Sequence, residues 1–121
     1  EEIMVSVQFA PVTSAAYVKL HQRASHYAIV GVGAALEVKG GAIASARVGL
    51  TGAASHAMRL TSVEQALAGQ PLSDASIEAA AALAGNGLND VNADLHASAE
   101  YRRAMITVFT RRALQAARAR A

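Results

Sequence analysis

Ser98-Ala99-Glu100-Tyr101-Arg102-Arg103, running on to Arg111-Arg112-Ala113-Leu114, reads as one long amphipathic helix. Ser98 offers an acceptor oxygen at the N-cap, and Glu100 places negative charge in a first turn whose free N–H groups carry positive dipole. Tyr101, Met105, Val108, Phe109 and Ala116 recur at helical spacing and predict the stripe that packs inward. Arg112 falls inside that stripe on the helical wheel. An unpaired buried charge is very costly, so Arg112 is expected to pair with a carboxylate, with Glu64, Asp90 and Asp94 as candidates.

Outward from this helix, strands come first and helices follow. Residues 2–9 alternate Ile3, Val5, Val7 and Phe9 with Met4, Ser6 and Gln8, which predicts a strand stopped by Pro11. Thr13 or Ser14 can cap a short helix carrying Tyr17, Lys19 and Leu20 and ending near Ser25. Residues 27–38 form a long β-rich run, Gly40-Gly41 is a hairpin turn signal, and residues 42–50 return. Thr61-Ser62-Val63-Glu64 has the spacing of a capping box, and Gly69 with Pro71 ends that helix about two turns later. Residues 73–84 read as an alanine-rich helix, and residues 86–97 as a polar loop holding Asp90 and Asp94. This order predicts an α+β domain: an antiparallel sheet, strands first, covered on one face by about three helices.

The two faces of that sheet differ. Ala28, Val30, Val32, Ala34, Leu36 and Val38 share one face, which Ala44, Ala46, Val48 and Leu50 can join as the floor for the helices. The other face carries Tyr27, Ile29, Gly31, Gly33 and Ala35, then Ile43, Ser45, Arg47 and Gly49. It is small and only weakly polar, unusual for a solvated surface. Glycines inside strands mark either a loosely packed edge or a place where another domain, a subunit or a flat ligand comes close.

Composition narrows the choices. The chain has 121 residues, the size of one domain, and 30 are alanine, so its core buries little area per residue and leans on neighbours. There is no cysteine, which excludes disulfides and iron–sulfur ligation by this chain. No apolar run reaches the length of a membrane span and no signal peptide is recognisable. The first residue is Glu1, which points to a piece of a longer protein or a processed chain. A net charge of +2, without stacking aromatics beside the arginines, gives no footprint for nucleic acid. Gly31-Val32-Gly33-Ala34-Ala35-Leu36 is no dinucleotide loop, because its glycines lie within a strand. His21, His26, His56 and His96 have no metal-binding spacing, and no serine sits in a nucleophile elbow. By itself the chain does not look like a complete enzyme.

Five segments carry a resemblance. They are Tyr17-Val18-Lys19-Leu20-His21-Gln22-Arg23 with Tyr27-Ala28-Ile29-Val30, then Arg47-Val48-Gly49-Leu50-Thr51-Gly52, Met58-Arg59-Leu60, Glu64-Gln65-Ala66-Leu67-Ala68-Gly69 and the Ser98 helix. In this order and spacing the chain resembles the C-terminal domain of the FAD-binding (medium) subunit of carbon monoxide dehydrogenase and its molybdenum hydroxylase relatives. Residues 13–121 would be that domain, and residues 1–12 the end of a preceding domain or a linker strand. The resemblance implies a domain that helps to enclose FAD, most of which is held by N-terminal FAD-binding segments outside this chain. It implies a molybdenum large subunit carrying the molybdenum cofactor, a small subunit carrying 2Fe–2S clusters that pass electrons to the flavin, and a cytoplasmic location. Lys19 matches the family lysine near the flavin and Tyr27 the residue facing the ring system. His26 stands where relatives carry an acidic residue, so the local charge there varies with pH. The alternative is an interaction or assembly domain of the same fold that does not contact flavin.

Overall fold

A computed structural model describes residues 2–121. Four antiparallel strands lie in the order β1-β2-β3-β4, with β1 at Ala15–His21, β2 at Ala28–Lys39, β3 at Ala42–Thr51 and β4 at Met58–Arg59. Three helices follow, α1 at Thr61–Leu67, α2 at Asp74–Ala81 and α3 at Ala99–Arg118. Helix α3 packs along β1 and β2, α1 packs on β3, and α2 bridges the other two. All the helices therefore crowd onto one face, giving the expected α+β architecture.

Two segments depart from expectation at the start of the chain. Residues 2–9 form no strand and are exposed throughout. An alternating run becomes a strand only when another edge pairs with it, and among the described residues no strand does. The helix expected after Thr13 is instead β1. Ala16, Val18 and Leu20 turn toward the core while Tyr17, Lys19 and His21 turn outward, a period of two rather than 3.6. Ser14 caps nothing there. Its hydroxyl donates to the Ala117 carbonyl at 2.9 Å and ties the strand to the last turn of α3.

The β2–β3 hairpin forms as its sequence predicts, with Gly40 and Gly41 both at positive φ, 59° and 79°. A register shift between Glu37 and Val38 then changes which face each residue meets. Ile43, expected on the outer face, is fully buried in the core, and Ala44, expected inside, is exposed. The capping box of α1 is also absent. Leu60 occupies the N-cap position and makes no side-chain cap. Glu64 reaches across to β3 instead, accepting the Val48 N–H at 2.8 Å while binding Arg59 through Nε at 2.9 Å and through its terminal nitrogen at 2.6 Å. Strand β4 is only two residues long, and this carboxylate takes over where its ladder stops.

Ser73 and Ser98 do cap their helices, accepting from the Ser76 and Tyr101 N–H groups. The phase of α3 is shifted from the expected one. Its buried residues are Arg102, Ile106, Phe109, Thr110, Ala113, Leu114 and Ala117, while Tyr101 and Arg112 are exposed. Arg112 pairs with none of Glu64, Asp90 or Asp94; its guanidinium lies 5.0 Å from the centre of the Phe109 ring. The buried arginine is Arg102, 1% exposed. It donates to the carbonyls of Ile29 at 2.7 Å and Gly52 at 3.0 Å, and to Asp94 Oδ2 at 2.6 Å. The wheel turns to this phase because these three acceptors satisfy the guanidinium, and nothing comparable waits for Arg112.

Asp94 is itself held in a tight turn. Its carboxyl sits below the usual aspartate range, first because it accepts the His96 N–H, and further through Ala97 and Arg102, against the opposing effect of burial. Replacing Arg102 by Met should destabilise the protein by about 2–5 kcal/mol, since two carbonyls lose a donor at about 1–3 kcal/mol each. Arg112→Ala should cost about 0.5 kcal/mol, as at other surface positions. Urea midpoints of the two variants check this, and equal shifts would refute the clamp. A folded pKa below the unfolded value near 3.8 means that Asp94 stabilises fully above that value, and that its contribution fades as pH falls through the folded value. The stability gap between wild type and Asp94→Asn should accordingly be constant near neutral pH and narrow in acid, as followed by urea unfolding across pH.

Candidate functional site

Among the described residues no helix packs on the outer face of the sheet. The strand register sets Tyr17, Gly33, Gly49 and Arg59 in one row across all four strands, and Lys19, Gly31 and Thr51 in the next. The Tyr17 ring lies down over the glycines. A Cβ added to Gly31 would stand 2.3 Å from the Tyr17 hydroxyl and 2.9 Å from Thr51 Cγ2, whereas at Gly33 it would reach the ring edge at 3.8 Å. Glycine at position 31 is what allows the phenol to rest on the strand. Tyr17 remains 55% exposed, so the upper face of its ring is open.

At one end of this face the turn between β1 and β2 is drawn tight. Gln22 N–H donates to the Tyr27 carbonyl and His26 N–H to the Gln22 carbonyl, both at 2.9 Å. The Gln22 side-chain oxygen accepts the N–H groups of Ala24 and Ser25, each at 2.7 Å. His26 adopts a left-handed conformation, φ 60°. Lys19 Nζ donates to its carbonyl at 2.7 Å, and the His26 ring stacks on His21 with centroids 4.9 Å apart. Of the expected site residues, Lys19 and His26 are thus in direct contact. Tyr27 belongs to the same turn, but its ring meets the edge of His96 at 5.9 Å, in the loop preceding α3.

The Arg102 clamp supports this end from beneath. It joins the start of β2 at Ile29, the end of β3 at Gly52 and the loop at Asp94. Gly52 sits at φ 78°, and a Cβ there would come 2.2 Å from the Ala28 carbonyl oxygen, so only glycine lets the strands close this tightly. At the opposite end of the same face a shallow groove of about 600 Å³ lies between Pro11, Val12, Ala35, Ser45 and Arg47. Among the described residues no group of histidine, aspartate and glutamate could hold a metal ion, and no helix is long and apolar enough to cross a membrane.

Sequence reasoning overlooked Tyr17 and Arg102. A helix would point Tyr17 and Lys19 in different directions, whereas in a strand residues two apart share a face. The alternation of Ala16, Val18 and Leu20 with Tyr17, Lys19 and His21 was the available signal. For Arg102 there was none beyond its place after the cap, because its acceptors come from distant segments.

The arrangement offers an exposed Tyr17 ring lying on strand glycines beside a lysine ammonium tied to the His26 carbonyl. The CO dehydrogenase flavoprotein C-terminal domain family matches residues 15–117. The carbon monoxide dehydrogenase medium chain of Hydrogenophaga pseudoflava is 31% identical over 98% of this chain and 42% of its own length. The carbon monoxide dehydrogenase structure from that organism superposes with a TM-score of 0.82 at 34% identity, covering 93% of this chain and 39% of that one. Quinoline 2-oxidoreductase from Pseudomonas putida 86 gives 0.81 at 26% identity, over 90% of this chain and 38% of that chain. The chain spans about two fifths of the length of these relatives. With matching segments, strand order and helix placement over nearly its whole length, the chain belongs to the CO dehydrogenase flavoprotein C-terminal domain family.

Proposed function

We propose that this chain is the C-terminal domain of the FAD-binding subunit of a molybdenum hydroxylase and helps to enclose the flavin that accepts electrons from 2Fe–2S clusters. One observation supports this above the others: Tyr17 lies flat on a glycine strip beside the fixed cation Lys19, a floor shaped for a planar ring. FAD, when bound, supplies a carrier that takes electrons from one centre and delivers them to another. The part of this chain is to shape the ring's surroundings and set their charge. Lys19, pinned to the His26 carbonyl, provides positive charge at a defined place. Tyr27 supplies an aromatic wall, braced from behind by His96.

The remaining FAD contacts fall to N-terminal FAD-binding segments outside this chain. Residues 1–12 then read as the end of the preceding domain or a linker strand, which agrees with Ile3, Val5, Val7 and Phe9 alternating while exposed. A large subunit with the molybdenum cofactor and a small 2Fe–2S subunit are the partners this reading requires. One similar structure is a Cu,Mo-CO dehydrogenase. A cytoplasmic location fits the same reading, and the choice of substrate lies with the molybdenum subunit.

The isolated chain should bind FAD no better than in the high micromolar range, because the pyrophosphate contacts lie elsewhere. Submicromolar binding in a fluorescence titration would contradict the assignment. In the assembled enzyme, Lys19→Met should lower the flavin midpoint potential by on the order of 20 mV and slow electron arrival from the clusters, leaving reduction of the molybdenum centre unchanged. If Lys19→Met and Tyr27→Leu both keep the wild-type potential and flavin spectrum, these residues do not line the site. An assembly that purifies without flavin absorbance would favour the interaction-domain reading.

A further inference from the structure

The hairpin of β1 and β2 carries Lys19, His21, Arg23 and His26 and no carboxylate, since the sequence has no aspartate or glutamate between Glu2 and Glu37. Its neighbours do not supply one. Among the described residues the ion pairs are Lys39–Glu37, Arg59–Glu64, Arg102–Asp94, Arg111–Glu78 and Arg118–Asp74, and none involves the turn. Asp94, in the loop nearest Tyr27, has its oxygens occupied by Arg102 and by the N–H groups of His96 and Ala97. The other charged or titratable groups at this end are His96 against Tyr27, His56 beside Ser55, Asp90, Glu100 in the first turn of α3, and Arg103, which donates to the Leu88 carbonyl.

Among the described residues no carboxylate forms an ion pair with the turn, whose basic side chains are held together by the Lys19–His26 bond and the stacked imidazoles. The His21 and His26 rings lie face to face, 4.9 Å between centroids and 10° between planes. Protons on both rings repel each other and the Lys19 ammonium unless an anion sits alongside. Lys19 keeps two N–H groups free after bonding the His26 carbonyl, and Arg23 is exposed with an open guanidinium fork.

We propose that the β1–β2 turn is a binding site for a phosphate group, held by Lys19, Arg23 and the paired imidazoles of His21 and His26. The inference goes beyond the flavin reading and does not rest on it, because every group belongs to the hairpin itself. A dianion suits the site better than a single carboxylate, since Lys19 and Arg23 bring two cationic donor groups to one turn. By linkage, anion binding that is coupled to the uptake of one proton strengthens about tenfold for each unit fall in pH.

The test follows the imidazole C–H signals of the 121-residue protein by NMR during titration with sulfate, whose own charge is constant from about pH 5.5 to 8. The expected result is a saturable shift at His21 and His26 but not at His56, with affinity at least tenfold higher at the acid end. Lys19→Met should weaken binding, and the His21→Asn/His26→Asn pair should abolish its pH dependence; the fold of each is verified by the unchanged signals of His56 and His96. Inorganic phosphate and AMP form further arms: tighter AMP binding assigns the site to the phosphate of a larger ligand, and equal binding to the free ion. Shifts that do not saturate below about 50 mM sulfate would overturn the proposal. So would an equal response at His56, or undiminished pH-dependent binding by the double variant.

Discussion

Arg102 holds a full positive charge at a place water does not reach, and much of the geometry at that end of the sheet follows from satisfying it. Its terminal nitrogens make three hydrogen bonds, to the carbonyls of Ile29 and Gly52 and to Asp94, while Nε has no partner. Replacing a whole buried ion pair by apolar groups of similar volume is often neutral in proteins, whereas removing the guanidinium alone strands its three acceptors, so the charge is better understood as fixing an arrangement than as adding strength. Helix α3 must start where Arg102 reaches both strands, Gly52 must turn left-handed to bring its carbonyl in, and Asp94 must fold its loop back. His96 and the Tyr27 ring it touches inherit their places from that loop. Removal of either partner leaves acceptors or charge stranded, which makes the clamp sensitive despite its modest net contribution.

The same arrangement explains the bareness of the other face. With α1 and α3 both on one side, the Tyr17 ring lies over the glycine strip, with Thr51 beside it. Antiparallel sheets often leave one face to solvent, but such faces usually carry long polar side chains. Here the central positions are Gly31, Gly33, Ala35 and Gly49, which hold off neither water nor a neighbour. The core behind them is alanine-rich and buries little area per residue, so the domain has reason to be stabilised by whatever covers that face. A chain spanning about two fifths of its relatives' length is consistent with such dependence.

What was legible in the sequence was what depends on neighbours along the chain. Two glycines at the head of the hairpin and the serine cap before α3 act within a few residues, and both were read correctly; Ile29, read as facing outward from β2, is instead buried. Errors arose where distant segments decide. Thr13 and Ser14 look like helix caps until β2 is available to pair with the following strand. Glu64 looks like a capping partner until the Val48 N–H appears beside it. Tyr101 and Arg112 fit the inner stripe of α3 as well as Arg102 does, because long amphipathic side chains suit either surface and their choice rests on acceptors elsewhere. The register shift at Glu37 moved Ile43 inward by the same kind of non-local rule. The candidate site suffered in consequence: with β1 taken as a helix, Lys19 and His26 could be named from resemblance, but Tyr17 could not join them.

The tether between Lys19 and His26 gives this end of the sheet a property that residue identity alone does not imply. A left-handed conformation is uncommon for a residue other than glycine, asparagine or aspartate, and its cost must be met by surrounding contacts. The Lys19 ammonium meets part of it by holding the His26 carbonyl, and the stacked His21 ring meets more. In return the turn holds the ammonium still. A lysine on a mobile stem spreads its charge over a wide volume and is screened by solvent, whereas a tethered one acts at one place without reorganising when a ligand arrives. Substituting His26 by an acidic residue would neutralise that charge locally; histidine places no carboxylate beside it. Any planar ring or anion brought to this face therefore meets a positive charge that is fixed in position.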